Sequence, residues 1–95
     1  MYDELDTLIH SPLRLAIMSI LISVREAEFN FLKAETKASS GNLSVQIKKL
    51  GEAGYLEVEK TFKNNYPLTT CRITDQGVEA FENYVATLRK YIDSE

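Results

Sequence analysis

The side chains with the clearest potential for chemistry lie close together, in the stretch from Ser40 to Lys49. Hydroxyl and amide groups can hydrogen-bond the edges of nucleobases, whereas lysine ammonium groups can neutralise phosphates. A valine among them could contact a thymine methyl group. The candidate nucleic-acid-binding residues of this stretch are Ser40, Asn42, Ser44, Val45, Gln46, Lys48 and Lys49.

The spacing of apolar residues predicts a helix from Asn42 to Ala53. Leu43, Ile47 and Leu50 fall on one helical face, so the polar and basic side chains occupy the other. Such a face can also be a solvated surface with no partner, and only the neighbouring elements decide between these alternatives.

The charge distribution favours an anionic partner for the middle of the chain. The 95 residues carry a net charge of −3, which taken alone argues mildly against nucleic acid. Residues 33–72, however, hold seven basic and four acidic groups, whereas the remainder holds four and ten. A basic middle between acidic ends indicates one face built for an anion, although a chance fluctuation in a short chain would look the same.

Other chemistries find little support. One histidine and one cysteine cannot supply the ligands of a zinc site or form a disulfide within the chain. No Ser-His-Asp arrangement or glycine-rich phosphate loop is present. The sequence therefore predicts no enzymatic activity, no metal and no cofactor. We expect Cys71 to be a small buried residue, not a redox trigger, and His10 to make a structural hydrogen bond.

The elements around the polar stretch predict a helix-turn-helix over about residues 30–54. Ser11-Pro12 opens a first helix with one apolar face from Leu13 to Val24. A short extended piece follows at residues 27–29, then a helix near residues 31–38 with Asn30 as its cap. Ser39-Ser40-Gly41 breaks that helix and caps the next one.

A β-hairpin over about residues 55–74 and a final helix over about residues 75–93 complete the pattern. Alternating residues predict the strands, and Lys63-Asn64-Asn65-Tyr66-Pro67 predicts their turn. The final helix has an apolar seam that needs a packing partner. Together with a second stripe on the first helix, it predicts a dimer interface, with ordinary core packing as the alternative. The predicted interface residues are Leu15, Met18, Ile22, Phe81, Tyr84, Val85, Leu88, Tyr91 and Ile92.

Three motifs in order resemble small single-domain winged-helix regulators of the MarR/ArsR type. They are Ile9-His10-Ser11-Pro12-Leu13-Arg14, then Leu43-Ser44-Val45-Gln46-Ile47-Lys48-Lys49-Leu50 with Glu52-Ala53-Gly54-Tyr55-Leu56, and Arg72-Ile73-Thr74-Asp75-Gln76-Gly77. The resemblance implies a dimeric transcription regulator with its recognition helices and wing tips on DNA. Lys63, Asn64, Asn65 and Arg72 become candidate wing contacts.

The sequence thus predicts one domain, residues 1–95, in the mainly α class with a small β-hairpin: a winged helix-turn-helix with an extended C-terminal helix. We expect a homodimer on a pseudo-palindromic duplex operator; the alternative is a winged-helix module that binds protein. No apolar stretch is long enough to span a membrane, and the unpaired cysteine and lack of a leader predict a cytoplasmic location. Any small-molecule effector is unknown.

Overall fold

The computed structural model of the chain describes residues 2–93. Its helices are α1 (Pro12–Val24), α2 (Phe29–Thr36), α3 (Ser40–Glu52) and α4 (Asp75–Ile92). Its strands are β1 (Glu26–Glu28), β2 (Leu56–Lys63) and β3 (Tyr66–Ile73), and they form an antiparallel sheet in the order β1-β3-β2. This architecture confirms the predicted winged helix-turn-helix with a long last helix. The short extended piece is strand β1, which pairs with β3.

Capping side chains set the start of two helices. A cap from the Ser39-Ser40-Gly41 stretch was predicted for α3, but α3 begins at Ser40, two residues before the predicted Asn42. The Ser39 hydroxyl accepts a hydrogen bond from the Asn42 amide at 3.1 Å and so begins α3. The Thr74 hydroxyl does the same for the Gly77 amide at 3.0 Å and begins α4. Each bond satisfies an amide that has no partner within its helix. The predicted cap at Asn30 is wrong, because α2 already begins at Phe29 without a side-chain cap.

The wing hairpin turns on two residues, Asn64 and Asn65. Their φ angles are 52° and 67°, and Lys63 pairs with Tyr66 across the turn. Two successive positive φ angles suit the right-handed twist of the flanking strands, and asparagine tolerates this conformation better than most residues. The turn is therefore tighter than the five-residue cluster predicted from sequence.

The core forms where α1, α2 and α3 pack together over the inner face of the sheet. Met18 lies in this core with 0% of its surface exposed, because α1 is covered on more than one side. The prediction that Met18 faces a partner chain is therefore wrong. Val24, assigned to the core face, is exposed instead at the end of α1.

The start of α4 fits closely against the start of the wing. Gly77 is buried there, and an added Cβ would lie 2.9 Å from the Ile73 Cγ1 atom and closer still to the Tyr55 carbonyl oxygen. The Thr74 amide donates to that same carbonyl at 3.0 Å, and the Thr74 hydroxyl donates to the Gly54 carbonyl at 2.6 Å. This contact joins α4 to the base of the hairpin and requires glycine at position 77.

The N-terminal segment, residues 2–10, runs beside α4. The rings of Tyr2 and Tyr91 stack with centroids 4.6 Å apart, and the Tyr91 hydroxyl donates to the Asp3 carbonyl at 2.8 Å. His10 Nδ1 and the Tyr84 hydroxyl share a hydrogen bond of 2.8 Å. Tyr84 is only 2% exposed and belongs to the buried core, so its predicted place in a dimer interface is also wrong. Among residues 2–93, no helix combines the length and apolarity needed to cross a bilayer.

Candidate nucleic-acid interface

Helix α3 turns its polar side to solvent. Leu43, Ile47 and Leu50 are buried against the core, at the i, i+4 and i+7 positions of one face. Val45 is 49% exposed on the other side, so its methyl groups are accessible to a partner. The exposed predicted contact residues of α3 are Ser40, Asn42, Ser44, Val45, Lys48 and Lys49.

Gln46 differs from these residues, because it is half-buried and held by a hydrogen-bonded chain. The Arg14 guanidinium donates through Nη1 to the Gln46 Oε1 atom and through Nε to the Leu8 carbonyl. The Gln46 Nε2 atom in turn donates to Asn42 Oδ1 at 2.9 Å. Arg14 therefore anchors two candidate base-reading amides to the start of α1.

The role of Arg14 was missed by the sequence reasoning, which used it only as part of a motif. A signal was present in the sequence. Arg14 is the only charged residue of α1, and a cation on a helix otherwise apolar nearly all round needs a polar partner from another element.

A groove between α3 and the wing brings a further lysine into the candidate interface. Ser44 and Lys48 of α3 line one side, and Val58 and Lys60 of β2 line the other. Thr69 of β3 lies beside Lys60, its partner in the sheet register. Two lysines facing one groove with hydroxyl groups between them suit a phosphate backbone. Lys60 was not among the predicted contacts, although the two-residue period of β2 places it on the face of Val58.

The wing tip exposes polar and aromatic side chains together. Lys63, Asn64 and Asn65 lie at the tip and are exposed as predicted. Phe62 is 77% exposed, and Tyr66 on the opposite sheet face is equally open. The tip thus presents one cation, two amides and two aromatic rings.

Arg72 lies on the outer face of the sheet and is surrounded by carboxylates. Its Nε atom is 2.9 Å from Glu26, and its terminal nitrogens are 3.8 Å from Glu57 and 3.6 Å from Glu59. The hydrogen bond to Glu26, the charge of Glu26 and the charge of Glu59 raise the pKa of Arg72. A phosphate would meet these carboxylates together with the guanidinium, so the structure offers no support for Arg72 as a wing contact.

Of the nine residues predicted for dimerisation, Tyr91 and Ile92 are exposed, and five more are half-buried because they pack partly against the core but keep some accessible surface. Ile22 of α1 and Phe81 and Val85 of α4 line a shallow groove between the two helices, with Arg89 at its edge. Ile92 is 69% exposed near the end of α4. The accessible residues are Leu15, Ile22, Phe81, Val85, Leu88, Tyr91 and Ile92.

Cys71 is fully buried on β3, as predicted. Burial in apolar surroundings raises the pKa of its thiol to about 11. Because the thiolate is the reactive form, Cys71 is inert at neutral pH in the folded protein.

Comparison with known proteins agrees with this geometry. A family described as "Winged helix DNA-binding domain" matches residues 13–92. An uncharacterized protein of Methanocaldococcus jannaschii is 36% identical over 76 residues, which are 80% of this chain and 83% of that protein. The structure of a transcriptional regulator homologue from Pyrococcus horikoshii superposes with a TM-score of 0.88 at 29% identity, covering 94% of this chain and 88% of that one.

More distant solved structures share the fold. An ArsR family transcriptional regulator has a TM-score of 0.60 at 19% identity, covering 94% of this chain and 87% of that one. Structural neighbours at this level include ArsR- and PadR-family regulators, and their likeness to this chain confirms the winged-helix fold expected from the three sequence motifs.

Proposed function

This chain belongs to the winged helix DNA-binding domain family, a non-enzymatic family of DNA-binding proteins, and on that premise we propose that it regulates transcription as a homodimer on a pseudo-palindromic operator. The observation that carries the proposal is the exposed polar side of α3, the second helix of the helix-turn-helix. In this motif the second helix enters the major groove and its first residues contact base edges.

The side chains of α3 divide by chemistry into two roles. Asn42 and Ser44 lie in the first turns of α3, the part of a recognition helix that reads base edges, and the exposed Val45 would contact a thymine methyl group. Lys48 and Lys49 lie further along the same exposed side and supply phosphate contacts, which position the helix without reading sequence.

A second copy of the chain would complete the site. One α3 helix buries too little surface for tight specific binding, whereas two helices on one duplex combine their affinities. The accessible apolar residues of α1 and α4 form a patch that a two-fold contact with the same patch of a second copy would bury. The two α3 helices would then reach successive major grooves, roughly 34 Å apart.

Selection of random duplex DNA by the purified protein, with its mass in solution measured alongside, tests this function. A two-fold symmetric sequence should be enriched by a protein of twice the chain mass. On that operator, the log–log dependence of affinity on salt should have a slope near −0.9 for each phosphate neutralised. Lys48→Ala and Lys49→Ala should each reduce the slope by about 0.9 per subunit.

Lys90→Ala is the matched control, because it removes one cation from α4, where Lys90 pairs with Asp3. Its salt slope should equal that of the unaltered protein. If Lys48→Ala and Lys49→Ala behave like this control, α3 is not the DNA-binding element and the proposal fails.

The acidic outer face of the sheet favours a second candidate, a winged-helix module that binds a basic protein segment. Glu57 and Glu59 of β2 and Glu26 of β1 lie together there around a single arginine. In that case no duplex would be enriched in the selection. The cytoplasmic location stays a prediction from the sequence.

A further inference from the structure

The hydrogen-bonded chain behind α3 fixes which atoms two amides can present. A guanidinium group only donates hydrogen bonds, so the Gln46 amide must turn its oxygen towards Arg14. The nitrogen of the same amide then faces Asn42, whose amide oxygen accepts a hydrogen bond from it at 2.9 Å. Arg14 thereby determines the orientation of both amides, although it contacts only one of them.

The consequence for Asn42 is a change in what it can read. An asparagine that pairs with adenine uses both halves of its amide, because the oxygen accepts from N6 and the nitrogen donates to N7. In this structure the Asn42 oxygen is engaged by Gln46, and the Nδ2 donor is left for an outside partner. Guanine offers two acceptors, N7 and O6, whereas the N6 amino group of adenine opposes a second donor.

We propose that Arg14 is a positioning residue for base selection: it turns the Asn42 amide so that only its N–H donors face the major groove, and the protein therefore selects guanine over adenine at the base that Asn42 contacts. This inference rests on the proposed function. The Arg14 bond to the Leu8 carbonyl also supports the fold, so a test must measure base preference and not stability alone.

The test uses the full chain in selections from random duplex DNA, followed by competition titrations at fixed salt. Asn42→Ala first identifies the base position, since preference at that position should disappear with the side chain. At this position the unaltered protein should prefer guanine to adenine by about tenfold, within the range that one bidentate contact supplies. Arg14→Lys keeps a donor-only side chain and should keep most of this preference.

Two variants should release the Asn42 amide by different routes. Arg14→Met removes the donor that orients Gln46, and Gln46→Met removes the group that engages the Asn42 oxygen. In both, the guanine preference should fall to about twofold or less. The double variant should change it no further, because both substitutions break the same chain. Gln46→Met leaves Arg14 and its bond to Leu8 in place, so it decides the matter if Arg14→Met fails to fold.

Lys33→Met on α2 is the control for the loss of one cation. It should leave the base preference unchanged, whatever its effect on affinity. Retention of the tenfold preference in Arg14→Met and Gln46→Met would overturn the role of Arg14, as would a preference for adenine in the unaltered protein. If the unaltered protein enriches no sequence at all, the proposed function fails and this inference fails with it. If all the variants bind one symmetric operator with the same base preference, this inference fails while the proposed function stands.

Discussion

Substitution of Gly77 by alanine should destabilise the protein, although alanine has the higher helix propensity. The added Cβ would lie 2.9 Å from Ile73 Cγ1 and closer still to the Tyr55 carbonyl oxygen. The second neighbour is backbone and cannot rotate away, so α4 must shift from the base of the wing. Overpacking of this kind costs about 1–3 kcal/mol, and the higher helix propensity of alanine returns roughly 0.5–1 kcal/mol.

Because the closer neighbour is a backbone atom, the overpacking cost should lie in the upper half of that range, about 2–3 kcal/mol, which leaves a net loss of about 1–2.5 kcal/mol in the free energy of unfolding. For a domain of this size, each kcal/mol lowers Tm by roughly 4–8 °C, so Gly77→Ala should melt about 4–20 °C below the unaltered protein. Thermal unfolding followed by circular dichroism measures this, at one fixed protein concentration because an oligomer melts in a concentration-dependent way.

Gly41→Ala is the matched control for this measurement. Gly41 also lies in the first turn of its helix, but no atom comes within 4 Å of its added Cβ. Its Tm should stay the same or rise by a few degrees. An equal Tm for the two variants would refute the claim that the packing of α4 on the wing requires glycine at position 77.

Three further predictions concern the N-terminal contact, the thiol and the dimer. The Tyr55 hydroxyl donates to Asp6 at 2.6 Å, and this hydrogen bond together with burial raises the pKa of Tyr55 to about 12. The hydrogen bond therefore stabilises the folded protein fully below about pH 10, and this stabilisation is lost as the pH rises through 12. Tyr55→Phe should therefore cost about 1 kcal/mol near neutral pH, a deficit that narrows above pH 10 in denaturant titrations; a deficit independent of pH would contradict this. Cys71 should react with a thiol reagent only as fast as the protein unfolds, and rapid labelling in native buffer would show that the thiol is accessible. Leu88→Glu should halve the mass in solution, while Glu79→Gln, at an exposed residue of α4 that does not line the groove of Ile22 and Phe81, should leave the mass unchanged; an unaltered mass for both would exclude α4 from the interface.

The sequence predicted the elements well wherever a local signal determines them. Capping hydroxyls at Ser39 and Thr74 mark the helix starts, and two asparagines mark the wing turn, because these features depend only on neighbouring residues. The start of α2 was wrong because its first residue, Phe29, follows strand β1 directly and no capping side chain marks the boundary.

The assignment of faces was less accurate, because it depends on what packs against each element. Met18 was expected at an interface but is buried, and Val24 was expected in the core but is exposed. The reason is that several neighbours cover α1 along most of its length, whereas its C-terminal end is free. Arg14 joins the candidate interface through a contact with a residue 32 positions away, which no periodicity can show. From the sequence, Arg72 was predicted to contact DNA. The sheet register instead pairs it with Glu26 on one side and Glu57 on the other.

The carboxylates around Arg72 also bear on how an acidic protein could approach a polyanion. Three glutamates against one arginine give the outer sheet surface a negative potential, whereas Lys48 and Lys60 face the groove on the other side. Such an asymmetry acts as an electric dipole that turns the molecule during diffusion, repelling duplex from one side and drawing it to the other. The orientation of such an encounter depends on where the charges lie and not only on the overall value of −3.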